Sequence, residues 1–447
     1  MEHTTSSWLA ARAGRRRFLL TAAAGLAGTA VLLAACGGSD DTSSPGEGED
    51  VTLRFTWWGS DVRHQATQEM IDAFEAEHPN ITIEPEFGEW STYWDKLATQ
   101  VAANDAPDII QMDELYLREY AGRNALLDLS AEEALDTSAY DEATLATGEF
   151  DGGLYGLSAG VNSLSIFANQ SIFDEAGVEL PDDETWTWEE YAELAAEITD
   201  NTPDGVYGSA AFGQNESLFT IWARQHGESL YSENDIAFSP ETLASFFEPT
   251  LAMQETGAVP PASSTVEDFT IALDQNLLAT NKVAMGFAWS NQLHAYTEAS
   301  GEEMVLLRMP SQTGSSTENG AFYKSSMFWS VSSRTEHPEE AAMFLDFIVN
   351  SQEAGEILLA ERAVPPNGAI REAITDQLSE ADAQAVAYIE DIADEIGDAP
   401  APPPVGAADT QQVFQRYASE ILFERMSPQD GAEGFADELS SNLASAG

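Results

Sequence analysis

Two scarcities mark this chain of 447 residues: a single cysteine, Cys36, and only three lysines, Lys96, Lys282 and Lys324. One cysteine excludes an internal disulfide framework. Basic residues are scarce as a class, with 18 Lys and Arg against 77 Asp and Glu and a formal net charge of -59. Such a surface repels phosphates, which argues against nucleic acid as a partner. It suits solubility at high salt, where repulsion is screened. The six histidines, His3, His64, His78, His226, His294 and His337, lack metal-ligand spacing. No stretch has the acid and glycine spacing of a calcium-binding EF-hand loop, and no glycine-rich loop cradles phosphate. No metal and no cofactor is therefore expected. Glycine and proline are not in excess, and the length suffices for two domains with real cores.

The N-terminus gives the cysteine a use. Arg15-Arg16-Arg17 precedes an apolar stretch from Phe18 to Ala35 that ends in small residues. A positive region, an apolar core and small residues before a cut make a signal peptide. Arg15-Arg16-Arg17-Phe18-Leu19 resembles the twin-arginine export signal. Gly14 stands where that pattern prefers Ser or Thr, so the general secretion route stays open. Leu33-Ala34-Ala35-Cys36-Gly37 resembles the bacterial lipobox. That resemblance implies cleavage before Cys36, lipidation of its sulfur and a place on the outer side of the cell membrane. The alternative is an uncleaved transmembrane anchor, for which an 18-residue run is short. Residues 1–35 then form the signal peptide. Residues 36–50, rich in Gly, Ser, Pro, Asp and Glu, form a flexible spacer with nothing to bury.

From Val51 onward the pattern alternates between strands and helices. Val51–Trp57 reads as a strand, 65–77 as a helix with Met70, Ile71 and Phe74 on one face, Ile81–Glu84 as a strand, 93–103 as a helix, and Pro107–Ile110 as a third strand. This succession predicts an α/β layer with a parallel sheet. Thr187-Trp188-Glu189-Glu190 reads as a capping box opening a helix. Further helices are expected at 241–256, 269–278, 338–350, 374–395, 410–425 and 432–443, and strands at 282–288 and 328–331. The Pro/Ala-rich 397–406 reads as a loop.

Several segments together carry a family resemblance. Leu53-Arg54-Phe55-Thr56-Trp57-Trp58-Gly59, His78-Pro79-Asn80-Ile81-Thr82-Ile83, Asn104-Asp105-Ala106-Pro107-Asp108-Ile109-Ile110, Gly153-Leu154-Tyr155-Gly156-Leu157-Ser158, Lys282-Val283-Ala284-Met285 and Ala341-Ala342-Met343-Phe344-Leu345-Asp346 resemble, in order and spacing, the extracellular solute-binding proteins of bacterial ABC sugar importers. The resemblance implies an α/β, two-lobed fold of the periplasmic-binding-protein type (type II), with discontinuous lobes joined by a hinge. Lobe one would hold 51–157 and 289–330, and lobe two 158–288 and 331–447. It implies no enzyme activity, a carbohydrate ligand in the interlobe cleft, a membrane permease as partner and a monomer.

Sugars present apolar faces, which aromatic rings cover, and a rim of hydroxyls, which polar side chains bind. Rings at strand and helix ends are therefore the candidates. Trp57 and Trp58 close the first strand, one toward the core and one toward the cleft on alternation. Arg63 either pairs with Asp61 or Glu69 or reaches the ligand, which would favour an acidic sugar. Trp90 lies in the loop after the second strand. Asp113 is a hydroxyl acceptor or a helix cap. Asn162 follows the first crossing strand, Trp222 lies in a loop-to-helix stretch, Trp289 and Asn291 lie at the second crossing, and Trp329 lies in the third. A non-sugar solute such as a polyamine, a peptide or a metal chelate, or a secreted glycoside hydrolase, remains the alternative.

Overall fold

The computed structural model describes residues 50–446 apart from Ser60, Glu89, Glu233 and Ala408. The leader, the lipobox with Cys36 and nearly all of the spacer lie outside the described residues.

The opening strand β1 (Val51–Trp58) is central, parallel to β2 (Ile81–Gly88) on one side and β3 (Ile109–Met112) on the other. Val51, Leu53, Phe55 and Trp57 alternate into the core, but Thr56 and Trp58 are buried too. A parallel strand covered on both faces loses its polar side. Helix α1 (Asp61–Glu77) packs through Thr67, Met70, Ile71 and Phe74, one stripe at helical spacing. Helices α2 (Trp90–Ala102) and α3 (Glu114–Gly122) follow β2 and β3. The chain then adds the short β4 (Leu157–Ser158) at the far edge of the same sheet.

A second sheet follows. After β5 (Val161–Asn162), β6 (Leu164–Asn169) pairs antiparallel with β8 (Val283–Trp289) and with β9 (Met304–Leu307), and β7 (Tyr207–Ser209) runs parallel to β8. Its core is aromatic, holding Phe212, Phe219, Trp222, Phe246, Phe247 and Phe414. The capping box is present: Glu190 N–H donates to Thr187 Oγ1 at 3.2 Å, and Thr187 N–H donates to Glu190 Oε2 at 2.8 Å. It opens helix α4 (Trp188–Asn201). Helix α5 (Glu216–Gln225) follows. The chain returns through β10 (Lys324–Ser325), paired with β5, to β11 (Phe328–Val331), antiparallel to β3 in the first sheet. The two sheets have the orders β2-β1-β3-β11-β4 and β9-β6-β8-β7.

Two expected allocations differ. β9, within the 289–330 expected in lobe one, pairs with β6 in the second sheet. Helix α6 (Pro338–Asn350), within the 331–447 expected in lobe two, packs on the first sheet, where Phe344 meets Phe55 at 5.5 Å and Phe74 at 4.9 Å. The passages between sheets therefore fall later in the chain than 289 and 331. They lie side by side: Ala159 N–H donates to Met327 O at 2.9 Å, Ser326 N–H to Gly160 O at 2.8 Å, and Val161 N–H to Val364 O at 2.9 Å.

The expected helix over 269–278 is also absent, apart from one 3-10 turn at Leu273–Gln275. Side-chain oxygens compete there for backbone donors. Leu277 N–H donates to Asp268 Oδ1 at 2.6 Å and Ala279 N–H to Asn276 Oδ1 at 2.9 Å. Among the described residues no helix is long and apolar enough to cross a membrane.

Candidate functional site

A cavity of about 410 Å3 takes its walls from elements of both sheets. That volume falls in the range of small-molecule sites. From the first sheet come Trp90, Asp113 and Glu114, just beyond the C-terminal ends of the parallel strands. Open α/β sheets place ligands at that edge. Trp90 is 43% exposed, and its ring rests edge-on against Trp58 at 5.0 Å. Trp58 itself is buried among Trp90, Tyr93 and Trp94 and holds Trp90 from behind. Asp113 is the cap of α3, accepting Leu115 N–H at 3.0 Å. It caps the helix and faces the cavity at once.

The second sheet's side repeats that arrangement. Asn215 caps α5 by accepting the N–H groups of Ser217 and Leu218 at 3.0 and 3.2 Å, and Glu216 follows as the first helical residue. Glu216, Ser217, Thr220 and Arg224 line the cavity. Leu218, Phe219 and Trp222 fill the core. These are the two faces of one helix at three- and four-residue spacing. Trp289 ends β8, and its ring is 6.2 Å from Phe322. Tyr231 donates to Thr410 Oγ1 at 2.6 Å. Pro400, Ala401, Pro403 and Ala407 complete the wall.

Charge is arranged around Lys324. Its Nζ lies 3.4 Å from Glu114 and 5.3 Å from the centre of the Trp289 ring. Burial alone would lower its pKa, but Glu114, Asp113 and Glu216 raise it above the ordinary lysine value. Burial raises Asp113 and Glu216 above the ordinary carboxylate range, against the opposing pull of their backbone hydrogen bonds. Arg224 is committed to the Gly320 and Asp398 carbonyls at 2.9 and 2.7 Å. The cavity thus presents three carboxylates and two cations that already have partners. Such a site offers acceptors to a ligand rich in O–H or N–H donors.

Of the ten candidates from the sequence, Trp90, Asp113 and Trp289 line this cavity, with Trp58 behind them. The others lie elsewhere. Trp57 is fully buried and donates to His64 Nδ1 at 3.0 Å. Trp222 is in the core, its indole N–H on Ser245 Oγ at 3.0 Å. Trp329 is buried beneath the Arg362 guanidinium, 4.9 Å from its ring centre. Arg63 pairs with neither Asp61 nor Glu69 but with Glu361 at 2.8 Å, and it donates to Trp58 O. Asn291 is exposed in the turn after β8 and does not line the cavity. Asn162 is buried beside Lys324 in the β5–β10 register, and its Oδ1 has no partner among the described residues. Sequence reasoning missed Glu216, Tyr231, Phe322 and Lys324. The rarity of lysine was the available signal for Lys324. Among the described residues no group of three or more His, Cys, Asp or Glu is placed to hold a metal ion.

Residues 60–355 match the family model described as "Bacterial extracellular solute-binding protein". The chain is 30% identical over 187 residues to an uncharacterized lipoprotein in the oleD 5' region of Streptomyces antibioticus, covering 40% of this chain and 39% of that protein. It is 28% identical over 167 residues to the diacetylchitobiose binding protein DasA of Streptomyces coelicolor, covering 36% and 39%. The matches thus span about two fifths of the length of these curated relatives. Among solved structures, an extracellular solute-binding protein family 1 member from Alicyclobacillus acidocaldarius superposes with a TM-score of 0.76 at 27% identity, over 89% of this chain and 99% of that one. The fold is the mixed α/β, type II periplasmic-binding architecture, and the chain belongs to the bacterial extracellular solute-binding proteins.

Proposed function

We propose that this protein is the substrate-binding component of an ABC importer and captures a carbohydrate, most simply an oligosaccharide, in the cavity between the two sheets. One observation carries the reading: rings from opposite walls, Trp90 on one and Trp289, Phe322 and Tyr231 on the other, enclose a space edged by Asp113, Glu114 and Glu216. Rings suit the C–H faces of a sugar and carboxylates its hydroxyls. The sheets with their helices act as two lobes, and the paired segments around 158–162, 324–328 and 362–364 act as the hinge. A ligand touching both lobes shifts the population toward a closed form. That form docks on a separate membrane permease, with the protein acting as a monomer. No covalent step is involved. The protein is anchored by lipid on Cys36 after removal of its signal peptide and faces the outside of the cell. The family's extracellular character and the lipoprotein relative support this placement.

The cavity's charge favours a neutral sugar over a uronate. Arg63, which would have favoured an acidic ligand, is spent on Glu361 outside the cavity. The three carboxylates would repel a further anion. The same carboxylates favour a second reading, a polyamine ligand in the same site.

A thermal-shift screen of neutral, N-acetylated and uronate oligosaccharides, amino acids and polyamines tests this, because selective binding to the native state raises the midpoint. The proposal expects a shift with neutral or N-acetylated sugars and none with uronates. A shift with polyamines alone overturns it.

A further inference from the structure

A second cavity adjoins the first. A cavity of about 250 Å3 lies on the second-sheet side, and Asn215 and Phe269 line both it and the larger cavity. Beyond that shared wall it combines Phe212, Phe287 and Leu277 with the polar side chains of Asp268 and Asn276. This is the chemistry of the first cavity again: rings and apolar faces with a few fixed polar groups.

Two further observations suit it to a ligand. Phe269 and Ile271, both lining it, are 37% and 38% exposed, large apolar side chains left in water next to a cavity. The polar groups are already held in place. Asp268 accepts Leu277 N–H at 2.6 Å, and the Asn276 amide donates to Tyr296 Oη at 2.8 Å. A wall fixed beforehand lowers the ordering cost of binding. Asn215 spends its Oδ1 on the α5 cap, so the shared wall keeps an amide N–H donor to offer.

We infer that the second cavity is an additional sugar subsite: an oligosaccharide that fills the first cavity continues past Phe269, which packs on its apolar face, and sets its next units against Asp268 and Asn276. This rests on the carbohydrate reading above and adds chain length as the specificity.

The test is calorimetric titration of the protein with N-acetylglucosamine oligomers of one to five units, and with the β-1,4-linked glucose series beside them. The expected result is a tightening by about tenfold or more between two and four units, the gain of one ring contact and its buried area. Phe269→Ala, at a residue that lines both cavities, weakens the tetramer at least about threefold more than the dimer. Asp268→Asn keeps an acceptor for Leu277 N–H and weakens only the longer oligomers. Melting midpoints near wild type establish that both variants fold. Equal affinity for dimer and tetramer, or a Phe269→Ala loss that is the same at every length, overturns the subsite and leaves the carbohydrate reading standing. Binding of polyamines or amino acids with no response to either sugar series removes both.

Discussion

Lys324 holds the cleft's charge together. Removing it leaves Asp113, Glu114 and Glu216 facing one another without their nearest cation. Lys324→Met is expected to lose about 1 kcal/mol of stability at neutral pH, the upper end for a partly exposed ion pair. The sign of its pH dependence follows from Asp113 and Glu216: burial raises both pKa values and Lys324 pulls them down, so without Lys324 both carboxyls hold their protons more tightly in the fold. A carboxyl that binds its proton more tightly folded than unfolded favours the fold as pH falls through the raised value. The gap between variant and wild-type melting midpoints should therefore narrow from pH 7 toward pH 4; a gap that is constant or widens contradicts this account. At this scale the sequence was only partly legible. Rings at element ends were identifiable, but the side each faces was not. Trp57 sits on a strand buried on both faces, so alternation could not assign it. Trp222 lies on a helix whose polar face, Glu216, Thr220 and Arg224, is the one lining the cavity. Trp90 and Trp289 were readable because they stand at element ends, Trp90 where α2 begins and Trp289 where β8 stops.

Two elements of the first sheet lend themselves to test. Phe344 on α6 is fully buried between Phe55 and Phe74. Phe344→Ala should cost about 3–5 kcal/mol, read from the urea midpoint. A loss under about 1 kcal/mol would mean that α6 does not pack on this sheet in solution. Glu86 joins β1, β2 and α2, meeting Lys96 Nζ at 2.7 Å, Gln100 Nε2 at 3.0 Å and Arg54 Nε at 2.7 Å. Burial alone would raise its pKa, but Lys96, Gln100 and Arg54 hold it down to about 2. A depressed carboxyl contributes stability above its ordinary value of 4.5, lost as pH falls toward 2. Glu86→Gln should therefore melt below wild type at pH 7 and level with it near pH 2. Helices with a clear apolar stripe, such as α1 and α6, were readable from spacing alone. The 269–278 segment was not, because Asp268 and Asn276 take the backbone donors a helix would use.

At the scale of the whole molecule, the α/β character followed from the first strands and helices. The allocation of later segments to sheets did not. β9 and α6 are separated by only about thirty residues yet belong to different sheets, because β10 and β11 carry the chain across between them. Such an exchange depends on pairings more than a hundred residues apart, Lys324 with Asn162 and Phe328 with Met112, which no local pattern encodes. The same exchange brings Lys324 from the passage between sheets to face Glu114 and Trp289. In the proposed function, rings on opposing walls of this cavity grip one neutral sugar. The most direct test of this grip is calorimetric titration of wild type and Trp289→Ala, side by side, with neutral and N-acetylated oligosaccharides. The account predicts saturable binding to wild type and a loss of about tenfold or more in the variant at an unchanged fold. Wild-type binding untouched by Trp289→Ala, or no sugar binding where a polyamine binds, would contradict it.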